Sequence, residues 1–486
     1  MLKKLKKKKD SINIDETGPG GDTPLVVSLK NGHLKVAKLL LDNGANADQV
    51  CDTHTQAGAA CSVTPLLIGS ANGNHEMVML LLASGASADR ANGDGATPLF
   101  MSSGQGHKEV VKLLLANGAN VDQATTNGAT PLFISSRERR QEVVKVLLAH
   151  GASVNQADGD GDTPLLLCSQ LGFPEVVELL LAKGADAEQA NNLGVTPLLN
   201  CSTYGHPEVV RLLLASGAKV DRPDSNGVTP LLRSSTFGHP EVARLLLANG
   251  AEVDRADYTE SVSPLLRSSQ NGEFEVVKLL LASGAVVDEA DDNGWTPLLQ
   301  SSEEGHGLVV ELLLASGAEV NQSYEDGGLT PLIMSSMNGH PEVVKVLLAN
   351  GADVNQADDG GATPLYISCQ QGHPEVVKLL LAGGAKVDQA DDGGFTPLSI
   401  SSECGHQAVV NLLIQNGAQA AQIENAEEEE KAEGGGKTVR AARVCGKCGK
   451  EAKRMKKCSV CKLVRYCSEG CQLEDWKKHK KSCKKG

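Results

Sequence analysis

The chain has 486 residues, 41% of them hydrophobic and 22% charged, with only 3% aromatic and a formal net charge of −14. That apolar content excludes an intrinsically disordered chain, and so few aromatics point to a core of Leu, Val and Ala. Apolar runs reach about seven residues, Met77 to Ala83, far short of the ~20 that a membrane-spanning helix needs.

The charge is uneven along the chain. Residues 1–9 carry six Lys, residues 437–486 carry 17 Lys+Arg against 4 Asp+Glu, and the stretch between them holds −33. An acidic body with basic ends is not a general nucleic-acid binder along its length. Residues 1–18 read as a basic, disordered N-terminal segment. No apolar stretch follows the lysines, so it is not a secretory signal. An intracellular protein is expected, in cytoplasm or nucleus and off the membrane. Seven of the 13 Cys fall between Cys445 and Cys483. An odd count without a secretion signal argues against a disulfide framework.

From residue 19 to 420 the chain repeats itself. Thr-Pro-Leu begins at Thr23, Thr64, Thr97, Thr130, Thr163, Thr196, Thr229, Thr296, Thr330, Thr363 and Thr396, and Ser-Pro-Leu begins at Ser263. Eight of the eleven intervals are 33 residues, two are 34 and the first is 41, which makes about 12 repeats. The repeat at Thr363 shows the local physics. Thr363 can cap a helix with Pro364 in its first turn, and Gly372 ends it. Pro374 opens a second helix through Ala382 that is apolar around most of its circumference. Helices this short are marginal alone, so neighbouring repeats have to bury one another as a solenoid. The Asp-Asp-Gly-Gly run before Thr396 predicts a turn-rich finger between repeats.

Gly-x-Thr-Pro-Leu, Gly-His, Val-Val-x-Leu-Leu-Leu and Gly-Ala, in that order, resemble the ankyrin repeat family. The resemblance implies a mostly α solenoid of helix–turn–helix units with hairpin fingers, and a concave protein-binding face of first helices and fingers. The chain departs from the family where Ser pairs such as Ser234-Ser235 replace the usual Ala pair. It departs again where repeat four places Arg137-Glu138-Arg139-Arg140 in the region of Gly-His.

Slots that stay constant read as packing, which covers the recurring His and Ser. The slots that vary lie four and eight residues after each Thr and one before it. Repeats six to nine carry Asn200, Arg233, Arg267 and Gln300 in the first of these. Repeats five to seven carry Leu171, Tyr204 and Phe237 in the second, and Trp295 precedes Thr296. The resemblance implies that these slots face the groove, and an Arg pair beside an aromatic stripe has the composition of an interface centre. Two readings stay open: drift among surface slots, or a binding face centred on repeats five to nine. Cys51, His54 and Cys61 in the longer first finger read as incidental residues of a loop insertion.

Residues 421–444, with Glu427–Glu430 and Gly434–Gly436, read as an acidic, glycine-containing linker. Then Cys445, Cys448, Cys458, Cys461, Cys467, Cys471, His479 and Cys483 offer eight ligands within 39 positions. That is enough for two closed tetrahedral zinc sites, and closed sites are structural. Spacing alone allows sequential or interleaved pairing. The run through Cys-Ser-Val-Cys, Arg-Tyr-Cys and Cys471-Gln-Leu-Glu-Asp-Trp-Lys-Lys-His resembles a MYND zinc finger over 445–483. The resemblance implies interleaving: Cys445, Cys448, Cys467 and Cys471 on the first zinc, and Cys458, Cys461, His479 and Cys483 on the second. It also implies docking of proline-containing peptides by Ser459, Gln472 and Trp476. Residues 484–486 are a basic tail.

These features predict a non-enzymatic adaptor whose array binds one protein and whose finger docks another. No P-loop, nucleophile–base pair or open metal site occurs in the sequence. The alternative is a chromatin- or nucleic-acid-associated transcriptional regulator using the basic finger, although only Tyr466 and Trp476 in that segment could stack on bases.

Overall fold

The computed structural model describes residues 13–18, 21–54, 60–324 and 327–419, with two short strands at Lys456–Lys457 and Arg465–Tyr466. Among the described residues the fold is mostly α, with 24 helices in twelve pairs. The chain forms two compact bodies, residues 1–319 and 320–486. The first holds nine helix pairs, from Pro24 to Ala315; the second holds three, from Pro331 to Gln415, and the strand pair.

Every first helix starts the same way, as the Thr-Pro pattern predicts. The Thr (Ser263 in repeat eight) is 0–2% exposed in repeats one to eleven and half-buried in repeat twelve, and in all twelve its side-chain oxygen accepts the backbone N–H three residues on at 3.1–3.3 Å. Proline follows in the first turn, where no partner for its missing N–H is needed. Such a cap stabilises its helix by about 1 kcal/mol. In repeat six, Pro197–Tyr204 ends at Gly205, whose φ of 72° lies in the left-handed region that glycine enters without penalty. His206 and Pro207 then open the second helix, Pro207–Ala215.

That second helix buries Val209, Val210 and Leu213 to 1% exposure or less. Full burial of such a side chain stabilises by roughly 1.5–3 kcal/mol. Within each body a first helix packs on its own second helix and on the first helices of its neighbours. No repeat could cover these faces alone.

The expected hairpin fingers are turns rather than ladders in most repeats. Asp224 shows how they close: its Oδ1 accepts the N–H of Asn226 at 2.9 Å and of Val228 at 3.0 Å. A backbone bond then joins one tip to the next, as from Tyr258 N–H to the Asn226 carbonyl at 2.9 Å. Among the described residues the longer first finger is the exception. There Cys51–His54 pairs antiparallel with Ala60–Val63, because the insertion supplies enough chain for a ladder. Cys51 is buried there, with Sγ 3.8 Å from the Thr23 hydroxyl.

Candidate partner-binding site

The repeating slots turn out to be ties between repeats. His206 Nε2 donates to the Gln170 carbonyl at 2.9 Å, and His239 to Thr203 at 3.0 Å. His107, His306, His373 and His406 each make the same bond 36 residues back, at 3.0 Å. Only an N–H can satisfy a carbonyl, so each ring carries its proton on Nε2. The ring also lies against the glycine of the preceding repeat: a Cβ on Gly205 would sit 2.5 Å from His239 Nδ1.

Repeat four keeps the tie without histidine. Arg139 takes the left-handed backbone at φ 53°, and Arg140 Nε donates to the Gly104 carbonyl at 3.0 Å. Arg139 lies 5.3 Å from the centroid of the Phe173 ring and pairs with Glu175 at 3.2 Å. Repeat eight has Glu273 in the His slot, and a carboxylate cannot donate to a carbonyl. Asn271 Nδ2 does so instead, to Thr236 at 2.7 Å. Arg140 could be found by register in the sequence. Asn271, two residues out of register, could not.

The first-helix hydroxyls are held in the interior. Ser234 Oγ donates to the Leu231 carbonyl at 2.9 Å, whereas Ser235 Oγ is buried with no partner. Ser70, Ser103, Ser136, Ser269, Ser302 and Ser336 share that state. Burial pushes the Cys168 and Cys369 thiols up to about 12, so both stay protonated at neutral pH. No group of acidic, Cys and His side chains that could hold a metal occurs among the described residues.

The variable slots behave differently. Leu171, Tyr204 and Phe237 are 38%, 50% and 49% exposed, although all three are large and apolar. Each closes the first helix of its repeat, so three consecutive repeats present one stripe. Tyr204 Oη accepts from Gln170 Nε2 at 3.2 Å, which leans two repeats together along it. Four residues before Phe237, on the same helix face, Arg233 Nη2 meets the buried Asp224 at 3.3 Å while its Nε has no partner. Arg267, in the same slot of repeat eight, donates to Gln270 Oε1 at 2.7 Å. Trp295 is half-buried in its finger, its backbone N–H on Asp291 at 2.9 Å. The structure thus keeps Tyr204, Phe237 and Arg233 on adjoining first helices and sets Trp295 apart on a finger.

The eight candidate zinc ligands, and Ser459, Gln472 and Trp476, lie outside the described residues. Two strands are described between them, antiparallel with Lys456 opposite Tyr466 and Lys457 opposite Arg465. Seven thiols and one imidazole are a donor set that suits zinc.

The family described as ankyrin repeats (3 copies) matches seven stretches that together cover residues 1–257 and 265–423. The family described as MYND finger matches residues 445–483, from the first candidate ligand to the last. The crystal structure of the human ASB11 ankyrin repeat domain is similar over 47% of this chain and 100% of its own, at 26% identity and a TM-score of 0.43. No curated protein matches the chain. No helix among the described residues is long and apolar enough to cross a membrane.

Proposed function

The chain belongs to the ankyrin-repeat family and carries a MYND finger, a pair of protein-interaction modules, and from that premise we propose a non-enzymatic adaptor. Its array, residues 19–420, grips one protein, and a linker at 421–444 tethers a finger at 445–483 that docks a proline-containing segment of another. Linking two footholds raises the effective concentration of one partner near the other without any new contact. The observation that carries this reading is the exposed Leu171–Tyr204–Phe237 stripe on three consecutive repeats. A non-catalytic role is supported by the chemistry of the repeats, whose recurring histidines are spent on carbonyls and whose recurring serines have no base beside them.

A MYND finger is a zinc-binding family. In the reading proposed here two zinc ions are held, one by Cys445, Cys448, Cys467 and Cys471, the other by Cys458, Cys461, His479 and Cys483. Bound zinc supplies the cross-links that so short a segment needs to fold, of order 10–16 kcal/mol per structural site. Trp476 and Gln472 are four residues apart, on one face if that stretch is helical. With Ser459 they would offer an indole platform and backbone-bonding groups to a pre-extended proline segment. The adaptor would work in the cytoplasm or the nucleus.

Metal analysis of the full chain should give two zinc per molecule. Trp476→Ala should abolish binding to immobilised proline-containing peptides with the zinc content unchanged. Loss of zinc together with binding would make Trp476 a core residue and remove the docking role. The excess of basic residues in 437–486 favours a second reading, contact with nucleic acid by a transcriptional regulator. Phosphate binding would weaken steeply with salt, whereas a peptide contact would not.

A further inference from the structure

The face proposed above as a protein-binding site also carries a charge that no carboxylate among the described residues answers. In repeat seven, Arg233 is neutralised by Asp224, which is 6% exposed and fixed by two backbone N–H groups. The corresponding carboxylate for repeat eight is Asp257, whose Oδ1 accepts from Glu260 at 3.1 Å and Val262 at 3.3 Å. Arg267 does not pair with it. Its guanidinium bonds instead to the neutral Gln270, so Arg267 has no carboxylate partner among the described residues. An uncompensated guanidinium beside an apolar stripe favours an anionic acceptor, because a charge-assisted hydrogen bond is roughly twice as strong as a neutral one.

The spacing of the repeats adds a register. Packed helices lie about 8–10 Å apart, and an extended chain rises about 3.3 Å per residue. An extended segment lying across the first helices therefore advances about three residues per repeat. We propose, resting on the adaptor reading, that repeats six to eight take an extended partner segment of the pattern apolar-x-x-apolar-x-x-carboxylate, in either chain direction. Its apolar side chains cover Tyr204 and Phe237, and its carboxylate bonds to Arg267. The body around this face is acidic: between residues 157 and 306 the sequence holds 23 Asp+Glu and 9 Lys+Arg. Those charges are screened beyond about 8–10 Å. They leave room for one carboxylate at Arg267 and repel a segment carrying several.

The test uses the full chain and immobilised peptides of the pattern Leu-x-x-Leu-x-x-Glu and its reverse, with x drawn from Ser, Gly and Asn. Matched sets carry Gln or Lys in place of Glu. Wild type should bind the Glu set at least about tenfold more tightly than the Gln set. Arg267→Gln should erase that difference while still binding the Gln set, and Arg267→Glu should turn the preference to Lys. Arg267→Lys should keep part of it. Equal binding of the Glu and Gln sets by wild type, with both lost in Phe237→Ala, overturns the carboxylate and leaves the face standing. Binding that ignores both Tyr204→Ala and Phe237→Ala overturns the face, and the proposal with it. Unchanged thermal unfolding of the Arg267 variants assigns any loss to recognition rather than to folding.

Discussion

Tyr204 and His206 are two residues apart in repeat six, and they meet opposite conditions. His206 is tied to the Gln170 carbonyl and presses on the glycine of the repeat before it. Tyr204 is half exposed and bonds only to a side chain, that of Gln170. The histidine slot recurs because its partner is another repeat, present every 33 residues. The tyrosine slot holds Leu, Tyr, Phe, Asn and Glu in successive repeats, and of these only Asn271 makes the tie to the carbonyl of the repeat before it. Constancy marks an internal partner, and variation with exposed apolar surface marks room for an external one.

The largest effects should come from breaking an internal tie. Gly205→Ala forces φ 72° on a residue with a Cβ and drives that Cβ to 2.5 Å from His239 Nδ1. It should destabilise the array by roughly 2–4 kcal/mol in denaturant unfolding. Gly217→Ala has a similar φ of 88° but nothing within 4 Å of the added carbon, so it should cost about 1–2 kcal/mol from the backbone alone. Equal losses at the two sites would show that the histidine contact carries no weight.

Removing the donor of a tie comes next. His239→Ala leaves the Thr203 carbonyl unsatisfied, and Arg140→Ala does the same to Gly104. Each should cost about 1–3 kcal/mol. Arg140→His should be tolerated, because histidine meets the same carbonyl elsewhere in the stack. A harmless Arg140→Ala would mean that repeat four lacks the tie that its neighbours have.

Not every constant slot is optimal. Ser235 Oγ is buried without a partner, so Ser235→Ala should leave stability unchanged or raise it by up to about 1 kcal/mol. A loss would reveal a hydrogen bond to that hydroxyl.

The smallest effect concerns pH. Gln189 Nε2 donates to the Asn155 carbonyl at 3.2 Å, and Arg222 to Glu188 at 2.7 Å. Repeat eight has Glu289 in this slot, with Oε2 buried and unpartnered. Burial and then the nearby Asp254 carboxylate hold its carboxyl above the usual range. A raised folded value means that the proton is held more tightly folded than unfolded. This contribution to stability is present at low pH and is lost as pH rises through the raised value. Glu289→Gln should therefore be more stable than wild type at pH 7, with the gap narrowing toward pH 4. The gap should be modest, since the group is only partly buried. A gap that widens on acidification would reverse the assignment.

The array was legible from sequence because its determinants are local and repeated. A Thr-Pro start, a glycine stop and a Val-Val-x-Leu-Leu-Leu helix each act within a few residues, and their recurrence multiplies the signal. The candidate site was partly legible. The variable slots named Leu171, Tyr204, Phe237, Arg233 and Arg267, and only the fold showed which of them are exposed and which charge is answered. The pairing of Arg233 with Asp224, and its absence between Arg267 and Asp257, depends on how a side chain leaves its helix toward a finger.

Sequence by itself determined the period, the helix ends and the class of fold, because backbone geometry and burial of short apolar helices leave few alternatives. Tertiary structure alone decided that Asn271 stands in for histidine, that one serine of a pair such as Ser234-Ser235 has a partner and the other lacks one, and that Arg267 has no carboxylate partner among the described residues. The reason is physical: each of these outcomes turns on a contact of a few ångströms set by how the packed chain places a side chain, and the Asn271 bond spans 35 residues. No local pattern in the sequence encodes that distance.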